Sequence, residues 1–134
     1  MPPATAPSAG LWVNRYLGEP WVPGVSDCWS LARRVWAEVW GREVPPLPVD
    51  PADLRATLGA IEAGRRDWLP ADPPAEGDAV LMARGRRPCH IGILVAGDRI
   101  LHAIEGAGTI CTPRDRLAAL GYREVAVLRR EDWA

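Results

Sequence analysis

Apolar positions along this chain keep one period up to about residue 77 and another beyond it. From Cys28 to Trp40, the run CWSLARRVWAEVW sets Leu31, Val35, Trp36, Val39 and Trp40 on one stripe at helical spacing, with Arg33, Arg34 and Glu38 largely on the other side. Gly41 stands where a C-terminal cap belongs, and Ser26 or Asp27 supplies the N-cap oxygen. A second short helix is predicted to begin at Asp50-Pro51, a cap residue followed by proline at the first helical position, and to run towards Ala63. Pro70 to Gly77 reads as a turn-rich connector. After it, Ala79–Ala83, His90–Val95 and Arg99–Ile104 read as strands, the last two joined by a tight loop at Ala96-Gly97-Asp98. Thr109–Cys111 adds a short strand, Thr112-Pro113 caps a brief helix ending near Gly121, and Tyr122–Leu128 closes the chain as a strand. Helices first and an antiparallel meander afterwards define an α+β class.

Composition narrows the function classes. The 134 residues suit one domain, taken as 11–134 behind a Pro-, Ala- and Ser-rich leader at 1–10. Sixteen basic residues, all arginine, against seventeen acidic ones leave a net charge of −1, which argues against a nucleic-acid partner. No apolar run approaches the length of a membrane span, and Met1–Gly10 has neither the charged nor the apolar region of a secretory signal. A soluble protein made in the cytoplasm is expected. Three cysteines at widely spaced positions imply no disulfide framework.

Candidate chemistry centres on Cys28 and the chain's two histidines, His90 and His102. A thiol at a helix N-terminus meets unpaired backbone N–H groups and the positive end of the dipole, an arrangement expected to lower its pKa and to receive an oxyanion. With histidines on adjacent strands, the pattern suggests Cys–His acyl transfer. For His102 to hold the ring of His90, both must project from one face of their hairpin. A two-residue turn at Gly97-Asp98 would set them on opposite faces. A three-residue loop between paired Val95 and Arg99, with Asp98 left-handed, would set His102 opposite Gly92 and diagonal to His90. A zinc site is the competing reading of Cys28, Cys89, His90, His102 and Cys111. No Cys-x-x-Cys or His-x-x-x-His pair is present, and Cys89 and His90, as strand neighbours, should point to opposite faces. No metal and no cofactor is expected, and Cys89 and Cys111 read as core thiols. Arg84, Arg86 and Arg87 cluster just before His90, either as solvated loop charges or as partners for an acidic peptide. Trp36 and Trp40 belong to the apolar stripe. Trp12, Trp21 and Trp29 fall near the nucleophile and could line a groove, with Trp29 the best placed.

Five segments in order carry a resemblance: Tyr16-Leu17-Gly18, Asp27-Cys28-Trp29-Ser30-Leu31, Glu76-Gly77-Asp78-Ala79-Val80, His90-Ile91-Gly92-Ile93 and Leu101-His102-Ala103. Together they resemble the NlpC/P60 cysteine peptidases over about residues 11 to 128. The resemblance implies a papain-like α+β fold in which a nucleophile helix packs on a five- or six-stranded antiparallel sheet. It implies Cys28 as nucleophile, His90 as general base and His102 as the polar third member. Tyr16 would bring a hydroxyl to the active site, and Asp27 would support it as a cap. Trp29, Ser30 and Arg87 are the candidate groove residues, Ser30 replacing the glycine usual after the nucleophile. The implied substrate is the stem peptide of bacterial peptidoglycan. The Asp27-Cys28-Trp29 variant is similar to the phage and prophage branch, implying tail-tip proteins as partners and a place in the virion. The alternatives are a structural tail-tip component that keeps the fold, and an amidase or transpeptidase using the same Cys–His chemistry.

Overall fold

A computed structural model describes residues 10–45, 51–62 and 67–133. Asp27 opens the first helix, α1 (Cys28–Trp40), by accepting the Ser30 N–H at 2.8 Å. Its second carboxylate oxygen accepts the Gly24 N–H at 2.6 Å, so one side chain fixes both the helix start and the loop that enters it. Ser26, the other cap candidate, instead donates its hydroxyl to the Pro20 carbonyl. Gly41 closes the helix in the left-handed region at φ 66°, with its N–H on the Ala37 carbonyl. Along the apolar stripe, Leu31, Val35 and Trp36 are buried, and Val39 is partly buried at its margin. The second helix, α2, spans Pro51–Glu62. Its expected cap Asp50, its expected end at Ala63 and leader residues 1–9 lie outside the described residues.

Six strands follow: β1 (Trp68–Pro70), β2 (Ala79–Arg84), β3 (Arg87–Val95), β4 (Arg99–Ile104), β5 (Gly108–Pro113) and β6 (Arg123–Arg130). They form one antiparallel sheet in the order β1-β6-β2-β3-β4-β5. Alternation along β3 and β4 divides the core in two. Ile91, Ile93, Leu101 and Ala103 pack with α1. Leu94 and Ile100 face the other way, onto Val80, Met82, Leu117 and Tyr122. Leu117 belongs to a 3₁₀ segment, Arg114–Leu120, which ends at Gly121 as the sequence predicts. Two short elements have no counterpart in the sequence reading, a 3₁₀ turn at Leu11–Arg15 and the edge strand β1. Neither is long enough to display a period. β5 runs on through Thr112 and Pro113, which the sequence reading assigns to a helix cap.

The β3–β4 hairpin carries the three-residue loop. Val95 pairs with Arg99, Leu94 with Ile100 and Ile93 with Leu101, and Asp98 sits at φ 57°. The β2–β3 ladder is interrupted one residue before His90: Met82 pairs with His90 but Ala83 pairs with Pro88, leaving Cys89 as the bulged residue. The bulge cancels the strict alternation expected at this point. Cys89 and His90 therefore both line the same cleft rather than opposite faces of the sheet.

Candidate active site

Cys28, from the first turn of α1, and His90, from β3, line one cleft of about 570 Å³. Trp21, Tyr122 and Ala103 contribute walls, and Arg55, Arg84, Arg86 and Arg87 lie along it. Beyond the Ile93–Leu101 pair, β3 and β4 no longer form ladder pairs. The Leu94 N–H donates towards β2, onto the Asp78 carbonyl, so by alternation the Ile91 N–H faces the side that β4 has vacated. There it acts on the Cys28 sulfur together with the Trp29 N–H of the helix's own first turn. The first backbone bond of α1 is from the Leu31 N–H to the Asp27 carbonyl, so the N–H groups of Cys28 and Trp29 precede the intrahelical ladder.

The two histidines are in contact. His90 Nε2 lies 2.8 Å from His102 Nδ1, and His102 Nε2 lies 2.8 Å from Thr112 Oγ1. Gly92 makes this possible, because a Cβ there would stand 2.6 Å from Ile100 Cγ2 and 3.1 Å from His102 Cβ. Since His102 occupies Nε2 of His90, only Nδ1 remains to take a proton. That requires His90 Nε2–H to donate to His102 Nδ1, and His102 Nε2–H to donate in turn to the Thr112 hydroxyl. Tyr122 stacks on the His90 ring at 4.6 Å and 15°, and the Arg84 guanidinium covers the Tyr122 ring at 4.2 Å. The sequence pattern places Thr112 and Tyr122 in a helix cap and a closing strand and marks neither as a site residue. Thr112 pairs with Ile100 while His102 pairs with Ile110, so alternation along β5 was the signal that could have aligned Thr112 with His102. No local signal marks Tyr122, whose contact with His90 is made through the tertiary fold.

Burial governs the protonation states. It pushes the Cys28 thiol up to about 12, with the nearby Asp27 charge acting in the same direction; the Ile91 and Trp29 N–H groups oppose it and lose. The lowered thiol pKa expected from the helix terminus is thereby reversed. Burial, with lesser help from His102 and Arg84, brings His90 down to about 3, and burial brings His102 down to about 4. Both shifts favour a neutral thiol and a neutral imidazole at rest.

Several expected site residues lie elsewhere. The Tyr16 hydroxyl donates to Glu38 Oε1 at 2.6 Å, not into the cleft. Glu38 is ten residues along α1 from Cys28, about 15 Å at helical rise, so the hydroxyl position implied by the resemblance is corrected. Burial first, and then the bond to Glu38, keep that phenol protonated. Trp29 is buried with its Nε1–H on the Pro45 carbonyl, and Ser30 gives its N–H to the Asp27 cap; neither lines the cleft. Trp12 is buried against Trp40 and bonds Glu76. Trp21 is the tryptophan on the cleft, and Arg87 also lies along it. Among the described residues, no group of three or more metal-ligating side chains is placed to hold an ion.

An α+β protein with a helix-start thiol and a histidine pair on a neighbouring hairpin defines a class, and the family comparison agrees with it. The NlpC/P60 family model matches residues 15–119, more than half of the chain, and the chain belongs to that family. Members of the family are generally cysteine peptidases or hydrolases acting on peptidoglycan peptides. No curated protein matches the chain. Among the described residues, no helix is long and apolar enough to cross a membrane.

Proposed function

We propose that the protein is a thiol peptidase that cuts peptide bonds in the stem peptides of bacterial peptidoglycan, with Cys28, His90 and His102 as its catalytic set. The observation that carries the proposal is the hydrogen-bonded chain from His90 through His102 to Thr112, opening on the cleft that also holds Cys28. Cys28 attacks the scissile carbonyl carbon as its thiol proton passes to Nδ1 of His90. The N–H groups at the start of α1 receive the oxyanion. His90 then returns the proton to the departing amine as the C–N bond breaks. Water, deprotonated by His90, releases the acyl group from sulfur. His102 and Thr112 hold the His90 ring in the tautomer this sequence of steps needs, and Tyr122 fixes its plane.

Purified protein incubated with peptidoglycan, with the fragments identified by mass spectrometry, tests the proposal. Cleaved stem peptides are expected from the natural protein and none from Cys28→Ala, whose circular dichroism should be unchanged. Activity that survives Cys28→Ala, or that a chelator removes, would overturn the mechanism. The phage-tail setting rests on the Asp27-Cys28-Trp29 variant, and finding the chain in purified phage particles, or failing to, decides it.

A further inference from the structure

We infer that the arginines beside the cleft form a carboxylate-recognition subsite, which selects stem peptides whose side carboxylates are free over those in which they are amidated. The inference rests on the peptidase reading above and adds the charge state of the substrate to it. Four guanidiniums, of Arg55, Arg84, Arg86 and Arg87, line the cleft that holds Cys28 and His90, against one carboxylate, Glu105. The chain as a whole has net charge −1, so this local excess is not a reflection of overall composition.

Of the described arginines outside the cleft, Arg34, Arg114, Arg129 and Arg130 pair with carboxylates, while Arg33, Arg99 and Arg123 are held by backbone carbonyls and Arg42 by the Trp40 and Trp133 rings. Among the described residues, none of the four cleft arginines makes an ion pair with a carboxylate. The β2–β3 hairpin also places Arg84 directly opposite Arg87 across a two-residue turn at Gly85-Arg86. Like charges facing each other across a ladder work against the hairpin that carries them. A chain that gathers unpaired, mutually repelling cations at the mouth of its thiol cleft has a binding surface for anions. Arg84 is committed in part, to the Leu120 carbonyl and the Tyr122 ring. Arg55, Arg86 and Arg87 are exposed and are the residues left to reach a ligand. The flat fork of a guanidinium matches a carboxylate in a two-point, charge-assisted contact that a carboxamide cannot reproduce.

The test uses a synthetic stem tetrapeptide with free carboxylates and the same peptide amidated, titrated calorimetrically into Cys28→Ala protein and offered separately to the natural enzyme. The free acid should bind about tenfold or more tighter, since a hydrogen bond to a charged group outweighs a neutral one by that order. Arg86→Gln combined with Arg87→Gln should bring the two peptides within about twofold of each other, and added salt should weaken only the free acid. Arg55→Gln, on a different element, should independently reduce the preference. Equal binding of acid and amide, binding of neither, or a preference that survives the arginine changes would overturn the subsite. Preferential binding of the acid without cleavage by the natural enzyme would leave the subsite standing and overturn the peptidase reading.

Discussion

At the Cys28 sulfur two influences oppose each other. A helix N-terminus stabilises a thiolate by an amount typical of one or two N–H contacts, on the order of 1 kcal/mol. Removing a full charge from water in a site this closed costs several times as much. Cys28 is 6% exposed and His90 4%, which decides the balance for burial. Sequence makes the first influence visible, because a helix start and its cap can be read from Asp27-Cys28. The second depends on how far β3, Tyr122 and Trp21 close over the sulfur, and no local pattern reports that. The consequence is measurable. Ultraviolet difference absorbance between the natural protein and Cys28→Ser should show no thiolate at neutral pH, and a signal should grow only as the solution becomes strongly alkaline. A thiolate band already present at pH 7 would mean a preformed ion pair with His90 and would remove burial as the controlling influence. In the mechanism proposed above, a thiol that is neutral at rest is deprotonated during attack, by the His90 tautomer that His102 holds.

Register is the property of the β3–β4 element on which the histidine pair depends, and it is legible from sequence because the period of side chains along a strand is two. The odd loop at Ala96-Gly97-Asp98 and the left-handed Asp98 follow from requiring His90 and His102 on one face, and the structure has both. What strict alternation does not contain is the bulge at Cys89, next to Pro88, a residue that within a sheet is found at edges or bulges. Gly92 connects register with packing. A methyl group there would meet Ile100 Cγ2 at 2.6 Å and the Leu101 carbonyl oxygen at 2.8 Å. The oxygen belongs to the backbone of a central strand and has little freedom to retreat. Gly92→Ala should therefore destabilise the fold by about 1–3 kcal/mol, the range for overpacking a close-fitted site, and displace His102 from His90. Denaturant unfolding checks the first effect. A fall in kcat larger than any change in KM checks the second. A variant of unchanged stability and activity would show that the hairpin tolerates a shift that the pairing does not suggest.

For the molecule as a whole, the class, the strand order from β2 to β5 and the thiol–histidine set are legible because each rests on period, turn chemistry or a motif. The edge strand β1, the Thr112 contact and the wall supplied by Tyr122 are not, because each arises where segments distant in sequence meet. The two histidines also link the site to global stability. They are the only histidines in the chain, and both are buried neutral, with native values of about 3 for His90 and about 4 for His102 against an ordinary 6.5. Between those limits the unfolded chain binds protons that the native protein refuses. Stability therefore rises with pH across the window and is lost on acidification from about 6.5 downward. At pH 5 both histidines are largely protonated when unfolded and neutral when folded, so unfolding should take up close to two protons there. The slope of unfolding free energy against pH should then be steeper than a single titrating site can give. Calorimetric unfolding between pH 7 and 5 measures it, above the range in which ordinary carboxylates titrate. A flat profile would mean that at least one imidazole is already charged in the folded protein, and the neutral chain from His90 to Thr112 would have to be redrawn.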